Sequence, residues 1–155
     1  MTERVQITAA GDGRELRAPD AVLTVKIDAA HTDGGYELFE VHAPRGAAMP
    51  LHSTGWSKAY YLLHGRMLVQ IEDRAVELTP GACVTIPADA LHTFTVLTPA
   101  VTFLVVSLSG AMGRFHADLD VTLGDGTLSG AGPLLQRLLG RHDVRLVDAI
   151  DRSPR

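Results

Sequence analysis

The chain has 155 residues, the size of one domain, and can bury roughly two thirds of its unfolded surface around a single core. With 46% hydrophobic and 21% charged residues and a mean hydropathy of +0.11, it is not a disordered chain. Fourteen Lys+Arg against eighteen Asp+Glu give a net charge of −4, so no basic field exists to hold a phosphate backbone. No apolar run approaches the length of about 20 residues that spans a membrane. Neither nucleic acid nor membrane is expected as a partner, and the polar start, Met1 to Thr8, fits a cytoplasmic protein.

In chain order, Val5–Thr8 reads as a short leading strand. From Val22 to Leu108 short runs of Val, Ile, Leu, Thr and Tyr are broken by Gly, Pro and Asp about every ten residues, the rhythm of an antiparallel barrel or sandwich. The expected strands are Val22–Asp28, Tyr36–His42, Leu51–Thr54, Lys58–Leu63, Arg66–Ile71, Val76–Leu78, Ala82–Ile86, His92–Val96 and Val101–Leu108. Turns fall at Asp33-Gly34-Gly35, His64-Gly65, Thr79-Pro80-Gly81 and Pro87-Ala88-Asp89. Cys83, the single cysteine, lies in an apolar run and reads as a buried free thiol. After Leu108 the character changes. Ser109 to Gly132 is rich in Gly and Asp, and Pro133 to Leu139, with Pro at its start and Gly140 after its end, reads as one short helix. Residues 1–35 are then leading strands and loop, 36–109 a β core, and 110–155 a C-terminal tail, one domain in all. No DNA-binding helix-turn-helix segment is present.

Two segments carry the candidate chemistry. Gly46 to Gly65, with His52, Thr54 and Lys58, keeps the spacing of the pattern Gly-x5-His-x-His-x3-Glu-x6-Gly. Gly81 to Val96, with Pro87, Asp89 and His92, keeps that of Gly-x5-Pro-x-Gly-x2-His-x3-Asn. Together they resemble the two motifs of the cupin superfamily. The flanks Gly35 to Glu40 and Gly113 to Leu119, and the tail Leu139 to Val144, are similar to small quercetin dioxygenase-like cupins. The resemblance implies an all-β fold, a cupin (double-stranded β-helix or jelly-roll) barrel with a short C-terminal helix. It also implies pairing through an edge strand, supplied by Val5–Thr8 or Val22–Asp28, and hence a homodimer.

Carried over by position, the first His of the pattern is His52, the second is replaced by Thr54, the Glu by Lys58, and the last His is His92. A hydroxyl is a poor ligand, and a Lys ammonium repels a divalent cation. No metal cofactor is therefore expected. The alternative is a dioxygenase-like cupin holding Fe, Mn, Ni or Zn on His52 and His92 with an unorthodox ligand such as His42. Without a metal, His52 and His92 would face each other across a pocket with Lys58 nearby, and acid–base chemistry follows. Metal-free relatives implied by the resemblance are epimerases, isomerases and cyclases. The expected function is such a reaction on a small, partly apolar metabolite of specialised metabolism. A non-catalytic barrel that only binds a small molecule uses the same cavity and stays open.

Each candidate also has a plainer reading. The two histidines can be hydrogen-bonded relics, and Lys58 can snorkel to solvent if its strand slips by one residue. Trp56 either covers the pocket mouth or packs at a subunit contact. Tyr60 and Leu62 share the parity of Lys58, and Phe94 and Val96 that of His92, so all four face inward, Leu62 and Val96 as core. Thr54, Trp56, Tyr60, Phe94 and His42 are the candidate substrate contacts. His64 is expected at the surface, and His31, His116 and His142 in loops or tail with no ligand role.

Overall fold

The computed structural model describes residues 5–46, 50–124 and 132–147; Ala47 to Met49 of the first motif lie outside them. Eleven strands form two sheets among these residues. They are β1 (Arg14–Ala18), β2 (Ala21–Ile27), β3 (Tyr36–Pro44), β4 (His52–Thr54), β5 (Lys58–His64), β6 (Met67–Ile71), β7 (Arg74–Leu78), β8 (Cys83–Ile86), β9 (His92–Val96), β10 (Ala100–Leu108) and β11 (Val144–Leu146). The helices are α1 (Ala111–Gly124) and α2 (Gly132–Arg141). One sheet has the order β1-β2-β3-β10-β5-β8 and the other β11-β4-β9-β6-β7. Every strand pairing is antiparallel.

Period-two alternation places one face of each sheet inside. On β3, Phe39, Val41 and Ala43 are buried while Glu40 and His42 are exposed. On β10, Val101, Phe103 and Val105 are buried, and on β6 Met67 and Val69 are fully so. Burying side chains of this size is worth roughly 1.5–3 kcal/mol each, and the inner faces of the two sheets make one core. Nine of the expected strands are present with ends shifted by two residues at most.

Four readings are corrected. Val5–Thr8 is not a strand; Val5 and Ile7 are exposed, and the segment is tied down by side chains, Gln6 to Asp28 and the Thr8 hydroxyl to the Lys26 carbonyl. The edge of the six-stranded sheet is β1, which pairs with β2 through a hairpin. Cys83 is exposed, because β8 is the other edge of that sheet and the inward parity belongs to Val84 and Ile86. The region after Leu108 holds two helices. Met112, Phe115 and Leu119 give α1 one apolar face, a spacing of three and four, and the backbone N–H of Arg17 donates to Asp120 to fix it beside β1. The expected short helix is α2, which runs on through Gly140 to Arg141. Beyond it the chain turns through Asp143 and adds β11 alongside β4. Helices and β11 thus cover one side of the barrel.

Asp89 stands where the second motif has glycine, and it has φ +68. The backbone there is left-handed, a conformation that costs most residues about 1–2 kcal/mol and that Asp tolerates better. Its N–H donates to the Thr54 carbonyl at 2.8 Å, which ties the turn before β9 to the end of β4.

Candidate active site

A cavity of about 520 Å³ is lined by the inner faces of both sheets and by the cover made by α1, α2 and β11. Its volume suits a small organic molecule. The six-stranded sheet contributes Tyr60 and Phe103 and the five-stranded sheet Phe94, packed edge to face or tilted with centroids 5.0–6.5 Å apart. The cover contributes Phe115, Leu119, Leu135 and Leu139. The polar side chains on this apolar wall are His52, Thr54, Trp56, Lys58, Tyr60, His116 and Asp20.

His52 and His92 are directly opposite residues on β4 and β9, so their rings leave the sheet on the same side. The centroids are 4.2 Å apart with the planes tilted by 50°. Nδ1 of His52 lies 2.9 Å from the Pro50 carbonyl, and Nδ1 of His92 is 2.9 Å from that of Ala90. A carbonyl only accepts, so each Nδ1 carries a proton and each neutral ring keeps Nε2 as acceptor. The two rings therefore lie side by side and do not face each other across a pocket. His92 is 1% exposed; His52 reaches the cavity wall and His92 is not part of it.

Lys58 opens β5, opposite Ile86 of β8 and Ser107 of β10. It is buried and lines the cavity, with Nζ 5.6 Å from the centre of the Tyr60 ring. The inward reading holds because its parity is that of Tyr60 and Leu62. No carboxylate pairs with it among the described ion pairs. Burial pulls its pKa down from 10.5 to about 7. Burial, and then the Lys58 charge, lower His52 to about 4. His92 falls to about 3 from burial, Lys58 and His52, in that order. At neutral pH both imidazoles are uncharged, and Lys58 is shared between amine and ammonium.

Thr54 is buried and on the wall, but its hydroxyl donates to the Trp56 carbonyl at 3.2 Å. Trp56 is buried over the cavity, tilted against Phe115 at 6.2 Å. Tyr60 and Phe94 line the cavity as expected, while Leu62 and Val96 are core. Burial and Asp20 raise the Tyr60 phenol, which stays protonated. His64 is at the surface. His42 is corrected: it points outward from β3, its Nδ1 3.1 Å from the Thr102 hydroxyl, because Val41 and Ala43 own the inward parity.

Two cavity groups were not legible as such. His116, expected in a loop or the tail with no ligand role, sits on α1 and lines the cavity; its signal is its place beside the apolar Met112-Phe115-Leu119 face. Asp20, in the β1–β2 turn, is the wall's one carboxyl among the described residues, and burial raises its pKa.

A divalent metal does not fit this donor set. Of the pattern's four positions, His52 alone offers an imidazole nitrogen to the cavity. The Thr54 hydroxyl is engaged, and Lys58 brings an amine or its cation where a carboxylate would neutralise charge. Among the described residues no three His, Cys, Asp or Glu side chains converge on a point that could hold an ion.

The two antiparallel sheets, packed around one apolar core with a histidine-bearing cavity, define a double-sheet β-barrel. A family model described as "Cupin domain" matches residues 39–107, the β core of this chain, and the chain has a cupin fold. Three solved structures place it among known barrels. Over 67% of this chain and 79% of the other, it is 26% identical to the polyketide cyclase RemF from Streptomyces resistomycificus, with a TM-score of 0.57. With KdgF from Halomonas sp. it shares 16% identity over 66% of this chain and 94% of that one, at a TM-score of 0.59. It is 17% identical to oxalate decarboxylase from Bacillus subtilis, covering 64% of this chain and 28% of that chain at a TM-score of 0.57. The chain thus spans little more than a quarter of the decarboxylase. No curated protein sequence matches it. No helix among the described residues is long and apolar enough to cross a membrane.

Proposed function

We propose that this cupin is an enzyme of the cyclase or isomerase kind, which moves a proton on a small, partly aromatic substrate without a metal. The observation that carries this reading is Lys58, buried in an apolar wall with a pKa near 7. An acid–base group is most effective when its pKa lies near the working pH. As a neutral amine, Lys58 takes a proton from carbon next to a carbonyl; the resulting ammonium returns it to another atom of the same molecule. His52 Nε2 is an acceptor and orients a substrate hydroxyl, while His92 supports the His52 ring from behind. The likeness to a polyketide cyclase agrees with a substrate that has enolisable carbonyls and becomes aromatic.

The test needs no knowledge of the natural substrate. 2-Tetralone, a bicyclic ketone with acidic C–H bonds, is incubated with the protein in deuterium oxide, and exchange at carbon 1 is followed by NMR. Wild-type protein is expected to accelerate exchange, and Lys58→Met to lose that acceleration by about a hundredfold, within the usual range for a general base. Exchange at the buffer rate with wild-type protein that still binds the ketone would instead mark a binding module.

A further inference from the structure

The outward face of the six-stranded sheet is apolar at its centre, where a sheet wetted on that side would alternate to polar residues. The register sets Ile27, Leu38, Val106 and Ala59 side by side on β2, β3, β10 and β5. The next row outward along the strands is Glu40, Leu104, Tyr61 and Cys83, from β3, β10, β5 and β8, and the row on the other side pairs Tyr36 with Leu108. Tyr36, Tyr61, Val106 and Leu108 are each 44–55% exposed. Glu40 is the one Asp, Glu, Lys or Arg among the outward positions of β3, β10, β5 and β8. A contiguous apolar surface of several hundred Å² on a globular domain marks a contact with something else. The chain's own α1 and α2 lie over the cavity, on the inner side.

Three features of this face select a second copy of the chain as its cover. The first is size. Five strands about 4.8 Å apart, each giving about seven residues at about 3.3 Å, make a face on the order of 600 Å². Two copies then bury about 1,200 Å², inside the range of specific, stable interfaces. The second is self-complementarity. Glu40 and Tyr61 flank Leu104 on its two sides, and Leu38 and Ala59 flank Val106 in the same way. A two-fold axis lying in the interface along β10 exchanges the β3 side with the β5 side. It sets Leu38 of one copy over Ala59 of the other, large on small, and the Tyr61 hydroxyl over the Glu40 carboxylate, donor on acceptor. The third is charge. These four strands turn no Lys or Arg outward to meet an anionic lipid headgroup or a phosphate backbone, and Glu40 repels both.

We propose that this face is a homodimer interface, with two copies packed sheet on sheet about a two-fold axis along β10. The strands of the two copies then cross at about 30° with the sheets about 10 Å apart, the ordinary aligned packing of two sheets. The contact uses the middle of the sheet and leaves the edge strands β1 and β8 unextended. Each copy keeps its own cavity, because the helices over it lie on the far side from the partner.

The experiment is sedimentation equilibrium of wild type, Val106→Lys and Val121→Lys over the micromolar range, with circular dichroism to show that each is folded. Wild type is expected at twice the 16.6 kDa chain mass. Val106→Lys is expected at the single mass, its dissociation constant raised about a hundredfold or more by ammonium groups buried without partners. Val121, 65% exposed on α1, lies off the face, and Val121→Lys stays dimeric. A second measurement needs no variant. Cys83, the single cysteine, is exposed in the one chain, and the two-fold axis brings the partner's β2 over it. Its alkylation by a maleimide in wild type is expected to slow about tenfold as protein concentration passes the dissociation constant. Wild type at the single mass, a dimer that survives Val106→Lys or is lost in Val121→Lys, or Cys83 labelling independent of concentration would each overturn the interface. Single-mass wild type that sediments with phosphatidylcholine–phosphatidylglycerol vesicles would give the face to a membrane surface and overturn it too. Mass and labelling do not depend on catalysis, so the interface stands or falls apart from the proposed reaction.

Discussion

Replacing Lys58 with methionine is expected to stabilise the fold while abolishing proton transfer. The side chain is 6% exposed, so water screens it little, and burial moves its pKa from 10.5 to about 7. At about 1.4 kcal/mol for each tenfold change in proton affinity, holding the amine there costs on the order of 5 kcal/mol at neutral pH. Methionine has similar length and no charge to desolvate, and part of that cost returns as stability; a gain of about 2–4 kcal/mol at pH 7.5 is expected. The pH dependence gives the sharper test. Between 7 and 10.5 the unfolded chain holds a proton on Lys58 that the folded chain has lost, so wild-type stability rises with pH across that window and falls as pH drops toward 7. Between pH 7.5 and pH 9.5, urea unfolding is expected to show the gap between the two proteins narrowing by about 2–3 kcal/mol. Parallel dependence would show that Lys58 keeps an ordinary pKa and would refute the account of its environment.

The rate of 2-tetralone exchange is expected to climb about tenfold per pH unit below 7 and to level off above it, because the neutral amine is the base; a rate independent of pH from 5 to 9 would assign the step to another group. His92 touches His52 and is not part of the cavity wall, so His92→Phe is expected to restore most of the exchange rate that His92→Ala loses, about tenfold by displacement of a positioned group. Equal damage from both variants would mean that the second imidazole takes part chemically. Asp89→Gly relieves the left-handed backbone at φ +68 and is expected to raise stability in urea by about 1 kcal/mol. A loss of stability would mean that the carboxylate has a structural task.

The barrel was legible because its strands are amphipathic and short, and Gly, Pro and Asp punctuate them at turns. The inward direction of Lys58 followed from parity alone, since one residue's face settles Tyr60 and Leu62 as well. The same parity turns His42 outward, because its neighbours Val41 and Ala43 are the apolar residues that face the core. What spacing along the chain does not contain is which strands become neighbours. His52 and His92 lie 40 residues apart, and only the pairing of β4 with β9 sets their rings side by side and puts one behind the other. His116 was obscured for a local reason. Gly110, Gly113 and Gly124 surround the apolar positions of α1 and suggest loop, yet Gly113 is where the helix passes closest to β3, its N–H donating to the buried Glu37 carboxylate at 3.1 Å. A side chain there would run into that carboxylate. Cys83 was misplaced because an apolar run on an edge strand still has an outer face.

The most direct test of metal-free proton transfer combines two readings on one sample: metal content by mass spectrometry, and 2-tetralone exchange before and after dialysis against a strong chelator. The account predicts far less than one equivalent of Fe, Mn, Ni or Zn per chain and a rate unchanged by the chelator. A rate that vanishes on chelation and returns with one of those ions would contradict it.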